Sequence, residues 1–310
     1  MNNGSLHDSF FKSALGDKEV LVRTLKGLLP HEISREIDFE TLVFPEESVG
    51  EGLGASRMDM VFSVRMEGGE IWLSLILEHK SSPDPATPFQ LLRYVSASWS
   101  RMIRHRETPR PVLPVLFTHG KEPWKHPASL SEILNTPMVL KSLIPDYTLL
   151  TVDLASVSDR EILRQVDDIA TGALLLSMKH IFEGPAEVFS AILKNAGSRK
   201  DLYDILKPVL GLIINYVTGV HNLQTPEEIR KVLAPVIVEA EMPDMMEMIL
   251  EEGRQEGRQE GRQEGRQEGR QEAIEKLLIR THLSPSEIAT TLDVNLDWVL
   301  EIQKNLKNIS

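Results

Sequence analysis

No cysteine occurs among the 310 residues, which excludes disulfides, thiolate-bound zinc and thiol catalysis. Any metal must therefore be held by oxygen or imidazole ligands. There is also no apolar run long enough to cross a bilayer, and the opening MNNGSLHDSF lacks the basic and apolar regions of a signal peptide. A cytoplasmic protein with no membrane partner is expected. Positive charge is scarce as well: the formal net charge of -12 argues against nonspecific nucleic-acid binding by the whole molecule. With 41% hydrophobic and 26% charged residues, the composition is that of an ordinary folded protein with room for a sizeable core.

The scarce positive charge is unevenly spread. Between residues 86 and 125 stand Arg93, Arg101, Arg104, Arg106, Arg110, Lys121 and Lys125, against only Glu107 and Glu122. This basic segment reads equally as a solvated helix face or as a phosphate-binding one.

The stretch RMDMVFSVRMEGGEIWLSLILEHK, residues 57–80, has the pattern of a hairpin turning at Gly68-Gly69. A two-residue turn there pairs Met60 with Leu77, Phe62 with Leu75, Val64 with Leu73 and Met66 with Ile71, all apolar and all on one face. The other face carries Arg65/Trp72, Ser63/Ser74, Val61/Ile76 and finally Asp59/Glu78, with Lys80 one pleat beyond. Two carboxylates opposed across a hairpin, with Cβ atoms ~5 Å apart, repel unless a proton or cation lies between them. A hard divalent ion such as Mg²⁺ suits such a pair. Lys80 shares the face of Glu78, whereas the His79 side chain points into the opposite layer, with its backbone carbonyl left as a further metal ligand. Lys80 would then position or help deprotonate water, or offset phosphate charge. A surface ion pair capping a buried hairpin is the competing reading of the same residues.

An Asp opening one strand and a Glu-x-Lys ending the next resemble the PD-(D/E)XK nuclease signature, here Asp59 and Glu78-His79-Lys80. The surrounding HDSFFKSALGD, EHKSSPDP, LLRYV and LPVLFTHGKEPW resemble the Rpn family of recombination-promoting nucleases, the YhgA-like transposases, over about the first half of the chain. The resemblance reappears in the C-terminal repeats. It implies a metal-dependent DNA endonuclease with an α/β fold, a mixed sheet flanked by helices as in restriction endonucleases. Residue by residue, it implies that Asp59 and Glu78 bind Mg²⁺ or Mn²⁺ and that Lys80 is the catalytic lysine. Many relatives carry EHQ at this place, and the lysine here favours an active site. Gln90 and Tyr94 are similar to a Gln-x-x-x-Tyr arrangement that lies near the site in some superfamily nucleases, and four-residue spacing puts both on one helix face. Arg93, Arg101, Arg104 and Tyr94 are the expected DNA contacts. An acid from the first helix often joins such sites; Asp8 and Glu19 both qualify, with capping of a helix beginning near Ser9 the simpler role for Asp8.

Four regions are expected: a nuclease-like domain over 1–153, a helical bundle over 154–250, a GRQE-repeat spacer over 251–272 and a helix-turn-helix-like tail over 273–310. In the first, two helices span Leu6 to Leu29, broken at Gly16-Asp17, and strands are expected over Asp38–Phe44 and Val112–Thr118. A helix from about Phe89 to Arg104 should bury Leu92, Val95, Trp99 and Ile103. Helices are expected over Glu161–Phe182, Ala186–Lys194, Asp201–Val217 and Pro226–Glu239. The Met-rich run Met242–Met248 reads as helix packing. The repeats read as a solvated spacer, with self-association through the C-terminal region as the second reading. In the tail, Ser284 or Ser286 should start a helix and Leu296, Val299 and Ile302 should bury the next, while Asp297 and Glu301 speak for protein contact rather than DNA reading. His119, in THGKEPW, reads as a strand-end histidine satisfied by backbone groups. A catalytically silent DNA-binding or oligomerising regulatory protein is the alternative to an enzyme.

Overall fold

The computed structural model describes residues 3–44, 60–67, 72–125, 129–195, 199–223, 225–234, 269–271, 273–279, 283–292, 294, 298–300 and 302–304. The chain divides into two compact units, 1–245 and 246–310.

The first unit is built on a sheet whose described strands number five, in the order β1 (Ile37–Val43), β2 (Met60–Met66), β3 (Trp72–Lys80), β4 (Val112–Thr118) and β5 (Leu150–Asp153). The pairs β1/β2 and β2/β3 are antiparallel, while β3/β4 and β4/β5 are parallel. Met60 faces Leu77, Phe62 faces Leu75, Val64 faces Leu73 and Arg65 faces Trp72, the register that a Gly-Gly turn requires. The turn glycines themselves, and Asp59, lie outside the described residues. Arg65 also lies over the Trp72 ring, 4.8 Å from its centroid, so one end of the ribbon is clasped on its mixed face.

The central position of β3 explains its sequence. WLSLILEHK is nearly continuous in apolar residues because both of its faces are covered. On one face lies α4 (Thr87–Arg104), the crossover helix between β3 and β4, where Ile76, Leu116, Leu91, Tyr94 and Leu149 form a sealed cluster. Each such side chain contributes about 1.5–3 kcal/mol on burial. On the other face, α1 (Asn3–Leu15) packs Phe11 against His79 and Phe117. Gly16 lies beyond α1, and Asp17 caps α2 (Lys18–Leu28), accepting from the backbone of Glu19 and Val20.

Short α3 (His31–Ser34) and α5 (Leu130–Ile133) complete the sheet layer. The helices α6 (Asp159–Val166), α7 (Ile169–His180), α8 (Pro185–Asn195), α9 (Arg199–His221) and α10 (Pro226–Leu233) follow. The helix expected over Glu161–Phe182 is two: Asp167 takes the left-handed conformation at φ 50°, and Asp168 caps the next helix through the Thr171 backbone N–H. The continuation of α10 toward Glu239, the Met242–Met248 run and the repeats up to residue 268 fall outside the described residues.

In the second unit, Ser284 and Glu287 form a reciprocal cap that starts the helix Pro285–Leu292. Ile288, Ala289, Val299 and Ile302 bury one another together with Ile274 of the preceding helical stretch. Leu296, Asp297 and Glu301 are outside the described residues.

Candidate active site

Glu78 and Lys80 project from the last turns of the β3 pleat toward α4, and His79 projects away from it, as two-residue alternation dictates. The acidic group thus sits at the C-terminal end of the central strand rather than at the sheet's edge. Glu78 is buried at 3% exposure, a position that requires polar or charged company.

Gln90 provides that company from the first turn of α4. Its Nε2 donates to Glu78 Oε1 at 2.6 Å and to Tyr94 Oη at 2.6 Å, while its Oε1 accepts from Lys80 Nζ at 3.1 Å. Lys80 Nζ stands 3.4 Å from Glu78 Oε1 and 3.8 Å from Asp84 Oδ2. One amide therefore aims a carboxylate and an ammonium at the same spot. Asp84 was not among the expected site residues. Its signal lay in SSPDP, where it also accepts from the backbone N–H of Ala86 and orders the turn into α4.

Tyr94 does not lie on a DNA-facing surface. It is fully buried in the α4 cluster and holds Gln90 by its hydroxyl, so the expected DNA contact is corrected to an internal one. The inward face of α4 is also rotated from the expected one: Leu91, Tyr94, Val95, Ser98 and Met102 are buried, whereas Trp99 and Ile103 are exposed. The Trp99 indole N–H instead donates to the Arg110 carbonyl at 3.0 Å. The rotation places Gln90, Arg93, Arg101 and Arg104 along one stripe, in steps that are multiples of a helical turn. Arg93 lies over the Tyr94 ring at 5.7 Å, and Arg101 meets Glu107 at 3.4 Å, which offsets part of its charge.

Of the first-helix acids, Asp8 stands beside the strand end and Glu19 does not. Asp8 lies inside α1 rather than capping it, and its Oδ1 meets His79 Nδ1 at 2.9 Å. That hydrogen bond, helped by the charges of His79, Lys12 and Lys80, holds its carboxyl below the usual range against the opposing effect of burial. Glu19 pairs with Arg23 at 2.7 Å on α2. His119 is satisfied chiefly by side chains, not backbone as expected: its Nδ1 meets His79 Nε2 at 2.8 Å and its Nε2 meets Tyr216 Oη at 3.3 Å.

Glu78 offers the oxygen donor, and the His79 carbonyl belongs to a residue paired with Phe117 in the parallel ladder. Asp59, the expected second ligand, lies outside the described residues, and among the described ones no three His, Asp or Glu side chains converge into a metal cage. A buried carboxylate with a lysine ammonium as its neighbour is nonetheless a donor suited to a hard, oxygen-seeking cation.

Residues 5–203 match the family described as "Putative transposase, YhgA-like". The chain is 30% identical to recombination-promoting nuclease RpnD of Escherichia coli O157:H7, over 45% of this chain and 60% of that protein. It is 26% identical to the inactive recombination-promoting nuclease-like protein RpnE of E. coli K12, over 71% of this chain and 68% of the relative. It is 33% identical to recombination-promoting nuclease RpnC of the same strain, over 37% and 39%. The chain thus spans less than two thirds of RpnD and of RpnC. No solved structure gives a significant match. The mixed sheet between helices is consistent with the PD-(D/E)XK nuclease fold, and the match over residues 5–203 establishes that the chain belongs to the YhgA-like family, alongside the recombination-promoting nucleases.

Proposed function

We propose that this protein is a Mg²⁺- or Mn²⁺-dependent DNA endonuclease that hydrolyses phosphodiester bonds and promotes recombination. The observation that carries this reading is the Glu78–Gln90–Lys80 cluster at the end of the central strand in a chain of this family. Glu78 and Asp59 would hold the ion, with the His79 carbonyl as a further ligand. When bound, the ion supplies Lewis-acid activation of water and neutralises phosphate charge.

The protein's own groups do the remainder. Lys80 donates to Gln90 and faces Glu78, where it would orient water and offset the charge developing on the phosphate. Gln90, itself fixed by Tyr94, removes the rotational freedom of both charged groups before substrate arrives. The exposed Arg93 and Arg104 lie along the same helix and would contact the DNA backbone, with Arg101 contributing less because Glu107 already engages it.

The similarity to RpnE, a relative named as inactive, supports a second reading: a DNA-binding protein that does not cleave. Nicking of supercoiled plasmid separates the two. The nuclease reading expects nicking with Mg²⁺ or Mn²⁺, none with EDTA, and none by Asp59→Asn or Glu78→Gln. Binding without nicking under any metal, or cleavage untouched by both substitutions, would reject it.

A further inference from the structure

Behind the site strand, five side chains join end to end. Asp8 Oδ1 meets His79 Nδ1 at 2.9 Å, and His79 Nε2 meets His119 Nδ1 at 2.8 Å. His119 Nε2 meets Tyr216 Oη at 3.3 Å, and Tyr216 Oη meets His7 Nδ1 at 2.6 Å. The three histidines and the tyrosine are all buried, at 4% exposure or less. Aromatic neighbours fix their planes: Phe11 stacks on His79 at 4.3 Å, His79 on His119 at 4.8 Å, Phe182 on His119 at 5.7 Å and Phe10 on Tyr216 at 4.0 Å. The run joins α1, β3, the residue after β4, and α9.

The hydrogen bonds have a direction. Asp8 is a carboxylate and accepts, so His79 Nδ1 donates. Burial holds both His7 and His119 below the usual imidazole range, and a neutral imidazole carries a single N–H. One arrangement then satisfies every link without a charged histidine. His7 Nδ1–H donates to Tyr216, Tyr216 O–H to His119 Nε2, His119 Nδ1–H to His79 Nε2, and His79 Nδ1–H to Asp8. The reverse direction needs a second proton on His79 and the opposite tautomer of His119.

His119 grips the strand twice, since its backbone N–H also donates to the Lys80 carbonyl at 3.3 Å. His79 lies between Glu78 and Lys80, and a ring bonded at both nitrogens cannot turn, so the peptide groups that aim those two side chains are held from behind. The geometry points to His119 and Tyr216 as positioning residues for the strand end that carries Glu78 and Lys80, acting through His79 and making α9 part of the catalytic unit. This rests on the nuclease reading for its activity consequence, though not for the direction of the hydrogen bonds.

The test uses the full chain labelled with ¹⁵N-histidine. Nuclear magnetic resonance is expected to show the Nδ1–H tautomer for His7 and His119 in the wild type; in Tyr216→Phe, a variant that keeps the ring stacked on Phe10, His119 keeps it through His79 while His7, deprived of its acceptor, no longer holds a single tautomer. In Mg²⁺-dependent nicking, Tyr216→Phe should lose about tenfold in kcat with KM for DNA within about twofold, and His119→Phe, one link nearer the site, about a hundredfold. A loss graded along the links, confined to kcat, is not what general destabilisation would produce. Should His119→Phe fail to fold, Tyr216→Phe and the wild-type tautomers decide. An Nε2–H tautomer of His119 in the wild type, or unchanged kcat in Tyr216→Phe, overturns the proposal. If the wild type never nicks DNA, the nuclease reading fails by itself, and the tautomers still judge the relay.

Discussion

The two faces of one tripeptide, Glu78-His79-Lys80, are built on opposite principles. Toward α4, Glu78 and Lys80 meet through a single amide, and the Lys80 side chain keeps 21% of its surface in solvent. Toward α1 and α9, His79 is closed in by aromatic rings and hydrogen-bonded at both nitrogens. The first face keeps an opening to solvent at Lys80, whereas the second is sealed at His79. The contrast teaches that strand alternation, a purely geometric property, separates a charged pair with an opening to solvent from a ring sealed behind it.

The contrast breaks most severely where the sealed face loses volume. Phe11→Ala removes a fully buried ring stacked on His79 and should cost about 3–5 kcal/mol, read from chemical denaturation. The equivalent removal of exposed Phe89 at the start of α4 should change stability by less than about 0.5 kcal/mol.

Acid should attack the same sealed face. His7, moved by burial from 6.5 to about 4, is surrounded by His79, His119, Tyr216 and, through His79, Asp8. Between those two values the unfolded chain binds a proton that the folded chain does not. Its contribution is therefore intact above about pH 6.5 and falls by about 3 kcal/mol as pH approaches 4, with His119 shifted in the same sense. Asp8, displaced downward, adds its loss only below the ordinary carboxylate range. Melting temperature measured from pH 8 to pH 4 should decline in this window, and a flat profile would contradict neutral burial.

On the open face, the expected effects are on rate. Gln90→Ala removes the amide that ties Glu78 and Lys80 to Tyr94 and should lower kcat for nicking about tenfold to a hundredfold, with the fold retained by circular dichroism. The smallest changes belong to the α4 stripe. Arg93→Gln and Arg104→Gln should each weaken DNA binding alike on all sequences and reduce the salt slope by about 1, whereas Arg101→Gln should do less because of Glu107.

What could be read from the sequence was local or periodic. The hairpin register followed from where Gly68-Gly69 would turn, and β2 and β3 pair accordingly because one slipped residue would turn Phe62, Val64 and Leu75 outward. The strand Val112–Thr118 was legible as a short apolar run. The buried face of α4 was not, since two stripes compete there. Leu92, Trp99 and Ile103 looked more apolar than Tyr94 and Ser98, and only packing against Ile76 and Leu116 decides between them. The break at Asp167-Asp168 was missed because an aspartate in the left-handed region leaves little trace in hydrophobic periodicity. The histidine chain was invisible for another reason: its links join residues 71, 40, 97 and 209 positions apart. HDSFF and THGKEPW contain three of its members, His7, Asp8 and His119, without showing that they meet.

The central claim is that Lys80 and Glu78 form the hydrolytic face. It is tested most directly by the single-turnover nicking rate of wild type and Lys80→Ala on supercoiled plasmid in Mg²⁺, with DNA occupancy matched by a binding assay. The account predicts a wild-type rate abolished by EDTA and lowered at least about a thousandfold in the variant while DNA remains bound. Equal rates in the two proteins would contradict it.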